Sequence, residues 1–106
     1  MKTVGDVYYL ATSIGLCTFD NGTIYSVNSQ YQSPVHHVEI DEYGNAWTGD
    51  DNGRILVSKD KMSLEQYAHI DNAKINSIHF INDVKFAAAD IGLMYEEYHG
   101  SFAKVS

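Results

Sequence analysis

Three stretches of the chain carry the same order of apolar, small and turn-forming positions and superimpose without gaps: Val7 to Leu16, Asn45 to Arg54 and Val84 to Leu93. Tyr9, Trp47 and Phe86 fall in register, followed by the small residues Ala11, Gly49 and Ala88 and then by Gly15, Gly53 and Gly92. The glycines lie 38 and 39 residues apart, which is a repeat period. A large side chain followed two positions later by Ala or Gly places both on one face of a strand, where the small one admits a neighbour's bulk. Gly after Ser, Asp or Asn marks a tight turn with positive φ. Upstream of the second copy, Val35, Val38 and Ile40 match Ile75, Ile78 and Phe80 upstream of the third, which predicts an innermost strand over 35–40 and another over 75–80. Downstream, third strands are predicted over 16–19, 54–59 and 93–97 and fourth strands over 23–28, 64–70 and 101–105, with turns at Asp20-Asn21-Gly22 and His99-Gly100. No segment sustains helical periodicity with caps.

Four short antiparallel strands per unit of about 40 residues is the pattern of a β-propeller blade. The stretches VYYLATSIGLCTFD and VEIDEYGNAWTGDDNGRILVSKD resemble blades of two-component-regulator propellers and of Asp-box or photosystem-assembly-factor propellers. Ser58-Lys59-Asp60 is similar to the start of an Asp box, but Met62, Leu64 and Glu65 stand where that box carries Gly, Thr and Trp. The expected fold is all-β: one half-propeller over 1–106, with blades at about 1–29, 34–71 and 74–106, the first starting partway into its innermost strand. Rings usually hold four to eight blades, and an open arc exposes two apolar faces, so a two-fold homodimer completing a six-bladed ring is expected.

Composition narrows the function. The 106 residues include 14 Asp and Glu against 7 Lys and Arg, a net charge of −7 that disfavours binding to a phosphate backbone. An apolar content of 44% predicts a folded core rather than a disordered acidic tail. No apolar run reaches membrane-spanning length, and an acid precedes any apolar stretch at the start, so a cytoplasmic protein without a membrane partner is expected. The period and size are compatible with a small viral product, a minimal propeller or part of a larger one.

Candidate chemistry is sparse. Asp50, Asp51, Asn52 and Asp90 occupy turns between second and third strands, where they serve either as turn formers or as an acidic binding rim. Asp50-Asp51-Asn52-Gly53 lacks the bidentate Glu of a calcium loop, and no metal or other cofactor is expected. His36 and His37 are adjacent on a predicted strand, so they point to opposite faces and make poor joint ligands. Tyr31, in a polar loop, and Tyr43, in a hairpin turn, each offer a flat apolar face with a polar tip for recognition of a protein or sugar. Cys17 reads as a small buried hydrophobe. There is no nucleophile elbow, and Arg54 is the only arginine, too few for a sialidase-like clamp on an acidic sugar. The expectation is a non-catalytic scaffold that binds itself and another macromolecule, a protein through its loops; lectin-like glycan binding is the alternative, and a glycosidase comes third.

Overall fold

A computed structural model describes residues 2–27, 31–60 and 63–105. The described residues form three four-stranded antiparallel sheets, each built from consecutive strands. The first contains β1 (Lys2–Val4), β2 (Val7–Thr12), β3 (Gly15–Asp20) and β4 (Thr23–Ser26). The second contains β5 (Glu39–Ile40), β6 (Ala46–Gly49), β7 (Arg54–Ser58) and β8 (Glu65–His69). The third contains β9 (Ile75–Ile81), β10 (Val84–Ala89), β11 (Gly92–Tyr98) and β12 (Ser101–Lys104). No helix among the described residues is long and apolar enough to cross a membrane.

The register explains the repeat. Tyr9 pairs with Thr18, Trp47 with Val57 and Phe86 with Tyr95, so the three aromatics hold equivalent places in their sheets. The superposition is not gapless in space, however. Gly49 pairs with Ile55, whereas Ala11 pairs with Leu16 and Ala88 with Leu93, so the second sheet's middle turn holds one extra residue. Asp50 accommodates it, its carboxylate accepting the N–H groups of both Asn52 and Arg54 at 2.9 Å. In the first sheet the place of Asp50 is taken by Thr12, whose Oγ1 accepts Ile14 N–H at 3.2 Å and donates to Gly15 O at 2.6 Å.

The predicted strand over 35–40 is also shorter than expected. Only Glu39–Ile40 joins the ladder, and Val35 makes an isolated bridge to Asp50. The cause is Thr48, whose buried hydroxyl donates to the carbonyl of His37 at 2.6 Å and diverts it from regular pairing. The third sheet has Ala87 in the corresponding place, and there Ile78 pairs with Ala87 in a continuous β9.

Two apolar layers hold the sheets together. Tyr9, Leu16 and Val27 from the first sheet meet Val38, Ala46, Leu56 and Leu64 from the second. The opposite face of the second sheet, carrying Trp47, Ile55 and Val57, meets Ile78, Ala87 and Met94 of the third. Each fully buried aliphatic side chain in these layers contributes about 1.5–3 kcal/mol. The layer is close enough at Gly49 that a Cβ there would lie 2.1 Å from Ile75 Cγ2. β1 lies beside β5 and β5 beside β9, so successive sheets stack in chain order with their first strands adjoining.

Candidate binding cleft between the second and third sheets

Between these two sheets, at the β5–β6 and β9–β10 turns, lies an open cleft of about 1090 Å³. Its construction begins with Asp41, the residue after β5. The Asp41 carboxylate accepts the N–H of Tyr43 and of Asn45 at 2.9 Å and the Trp47 indole N–H at 2.8 Å. Partial burial pushes this carboxyl up, but the indole and the two backbone donors outweigh it and leave the group below its ordinary range. One ionised side chain thus fixes both the rim turn and the indole of the floor.

The floor is aromatic. Trp47 meets Tyr67 and Phe80 edge to face, with ring centroids 4.8 and 5.7 Å apart. Lys85 Nζ sits 5.3 Å from the Trp47 ring centre and 5.2 Å from that of Tyr67, and it pairs with Glu96 at 3.4 Å. Glu96 also accepts the Tyr67 hydroxyl and the Gly100 N–H. Burial raises the Glu96 carboxyl, yet the Tyr67 hydroxyl, the Gly100 N–H and Lys85 bring it below its usual value. Burial first, then the hydrogen bond and charge of Glu96, push Tyr67 up to about 12. A smaller recess of about 430 Å³, lined by Tyr67, Glu65 and His99, continues from the cleft past Trp47 and Lys85.

The rim is acidic: Glu39, Glu42 and Asp83 line the cleft along with Asp41. Asp83 is presented by a two-residue turn in which Asn82 and Asp83 both adopt positive φ, 51° and 65°. Tyr43, at the tip of the facing turn, is 80% exposed, and the hydrogen bond and charge of Glu42 raise its hydroxyl pKa.

Most of the residues singled out from sequence gather elsewhere, around the β6–β7 turn. Asp50 is fully buried, bound to Arg54 Nε at 2.7 Å, while the Arg54 guanidinium lies 5.1 Å from the centre of the Tyr31 ring. Asn52 donates to Ser33 Oγ at 3.1 Å, and Asp51 contacts His36 at 2.8 Å. Asp90 sits on the equivalent β10–β11 turn of the third sheet and accepts Lys74 N–H at 2.8 Å. His36 and His37 diverge: His37 turns to Glu39 at 3.2 Å, its ring 5.7 Å from that of His79. Among the described residues, no group of three or more His, Cys, Asp or Glu is placed to hold a metal. Cys17 is buried, 3.8 Å from Thr12 Oγ1.

No family model, curated protein or solved structure matches the chain. The cleft was not visible as a motif, because Tyr67 and Glu96 are far apart in sequence. One signal pointed to its floor: alternation along β10 puts Lys85 on the same face as Ala87, and that face meets the second sheet. A lysine on such a face calls for a carboxylate partner.

Proposed function

We propose that this chain is a non-catalytic binding module: an arc of propeller blades whose macromolecular partner docks in the cleft between the second and third sheets. The carrying observation is a preformed aromatic floor, locked by Asp41 and Glu96, beneath a rim of Glu39, Glu42 and Asp83. The propeller reading is supported by three consecutive four-stranded antiparallel sheets stacked in chain order. The partner the rim favours is a protein segment bearing Lys or Arg, drawn by the −7 net charge and held against the open Tyr43 ring. The β6–β7 turn patch, whose carboxylates are bonded within it, serves chiefly to join the sheets. A rigid recognition surface also fits the titratable groups of the cleft. Asp41 and Glu96 are held ionised and Tyr67 protonated, all far from the neutral range in which proton transfer is efficient.

Glycan binding is the second reading, favoured by the exposed Tyr43 ring beside Asn45 and Asp83, which together resemble a sugar platform. Trp47 is the only tryptophan and lies in the cleft floor, so its fluorescence reports occupancy. Titration with a short Lys/Arg-rich peptide should change the emission saturably, and added salt should weaken the response. A response to neutral oligosaccharides that ignores salt would instead establish the glycan reading, and silence towards both would refute the cleft as the site.

A further inference from the structure

The sheets stack in a fixed order. The face of the first sheet that carries Tyr9 lies on the second sheet, and the face of the second that carries Trp47 lies on the third. Among the described residues, two faces remain uncovered. On the first sheet, Tyr8, Phe19 and Ile24 form one cross-strand row, 38%, 36% and 64% exposed. On the third sheet, Phe86 pairs with Tyr95 and Ala88 with Leu93 on the face turned away from the second sheet, and Leu93 is 43% exposed. None of these side chains is charged. Contiguous apolar rows of this kind mark interaction surfaces.

We infer that a second copy of this chain covers both faces at once, head to tail, with the third sheet of each copy seated on the first sheet of the other. The register supplies the reason for a second copy rather than an unrelated partner. Phe86 holds the place of Trp47, and Trp47 is covered in the chain by Phe80 and Lys85 from the next sheet. Thr3 and Tyr8 hold the places of Phe80 and Lys85, since Thr3 pairs with Tyr8 as Phe80 pairs with Lys85. The free face of the third sheet is therefore of the kind that a following sheet covers, and the free face of the first is of the kind that covers a preceding one. The contact continues a stack that the chain already builds twice. Phe86 of one copy lies beneath Thr3 and Tyr8 of the partner subunit. Two copies supply six sheets, within the range that closes a ring, and the two-fold symmetry makes both junctions identical. Ring closure rests on the propeller reading above, whereas the head-to-tail contact rests on the stacking order alone.

Native mass of the intact chain at micromolar concentration tests this, together with Tyr8→Glu and Phe86→Glu, each checked for folding by circular dichroism. The expected results are a dimer for the parent, monomers for each folded variant, and return of a dimer when the two variants are mixed, because one intact junction is restored. Should either variant fail to fold, Ile24→Lys and Leu93→Lys probe the same two faces at more exposed positions. A monomeric parent would overturn the inference, as would a dimer broken by only one variant and not restored by mixing. Mass that keeps growing with concentration would overturn the closed dimer and, with it, the ring rather than the cleft.

Discussion

Gly53 is the position where backbone conformation and packing can be separated most cleanly. Its φ is +76°, and a Cβ there would stand 2.1 Å from the Ile70 carbonyl oxygen and 3.2 Å from that of Ala73. Gly22 provides the matched control, with φ +82° and nothing within 4 Å of the added Cβ. Gly22→Ala therefore bears only the left-handed backbone penalty, about 1–2 kcal/mol, offset by about 0.5–1 kcal/mol from lost freedom in the unfolded chain. Gly53→Ala bears the same terms plus overpacking of about 1–3 kcal/mol. The obstructing atom belongs to the backbone and cannot rotate away. It is held, moreover, by the Ile70 N–H bond to Gly53 O at 2.8 Å. The expected losses are about 0–1.5 kcal/mol for Gly22→Ala and about 1–4.5 kcal/mol for Gly53→Ala. At about 4–8 °C per kcal/mol for a domain near this size, the overpacking term should separate the two melting temperatures by about 4–24 °C. Circular dichroism melts and urea titrations measure this directly. Equal losses in the two variants would refute the close approach of the turn to the 70–73 segment, which extends the pairing of β7 with β8.

The Thr18 hydroxyl is fully buried and, among the described residues, without a hydrogen-bond partner. Thr18→Val, which installs the residue type found at the equivalent Val57, should raise stability by about 1 kcal/mol in a urea titration. At high pH, the raised Tyr67 pKa contributes stability that is intact below the ordinary tyrosine value of 10.0 and is lost as pH rises towards about 12. Glu96→Gln should bring the late tyrosine step in an ultraviolet titration down towards 10.0 without reaching it, because burial remains. At low pH, the lowered Glu96 pKa contributes stability that is present above 4.5 and lost as pH falls through the folded value, and the same substitution should flatten that part of the acid-denaturation curve. In the cleft, Tyr43→Ala with Asp83→Asn should weaken basic-peptide binding several-fold in the Trp47 fluorescence titration without changing the melting temperature. Finally, with −7 on each copy, added salt should tighten self-association measured by sedimentation.

The repeat was legible because its signals are local: an aromatic, a small residue and a turn glycine at fixed offsets, which recur as Tyr9, Ala11 and Gly15. Those offsets placed the sheets and nearly all their strands. What escaped depended on side chains reaching across the fold. Nothing in the neighbourhood of Thr48 announces that its hydroxyl will take the His37 carbonyl and cut β5 to two residues. Asp50 looked like a rim carboxylate because turns favour Asp; its burial follows from Arg54 and the extra turn residue, which become apparent only once the sheets are paired. The cleft is the extreme case. Its lock joins Asp41 to Trp47 on one sheet and Tyr67 to Glu96 between sheets; Tyr43 marked the rim from its hairpin turn, and the isolated lysine on an inward face hinted at the floor.

The β6–β7 turn sets the order in which the molecule opens. Asp50 O accepts Ile75 N–H at 3.0 Å, Asp51 N–H reaches Pro34 O at 3.1 Å, and Ile70 N–H reaches Gly53 O. The middle sheet is thereby tied to the chain on both sides, whereas the outer sheets each have one neighbour. In amide hydrogen exchange, protons on β6 and β7 should persist longest, and those of β4 and β12 should be replaced first. An isolated chain would then fray from its two ends inwards, and a second copy that covered both ends would slow exchange at the edges while leaving the centre as it was.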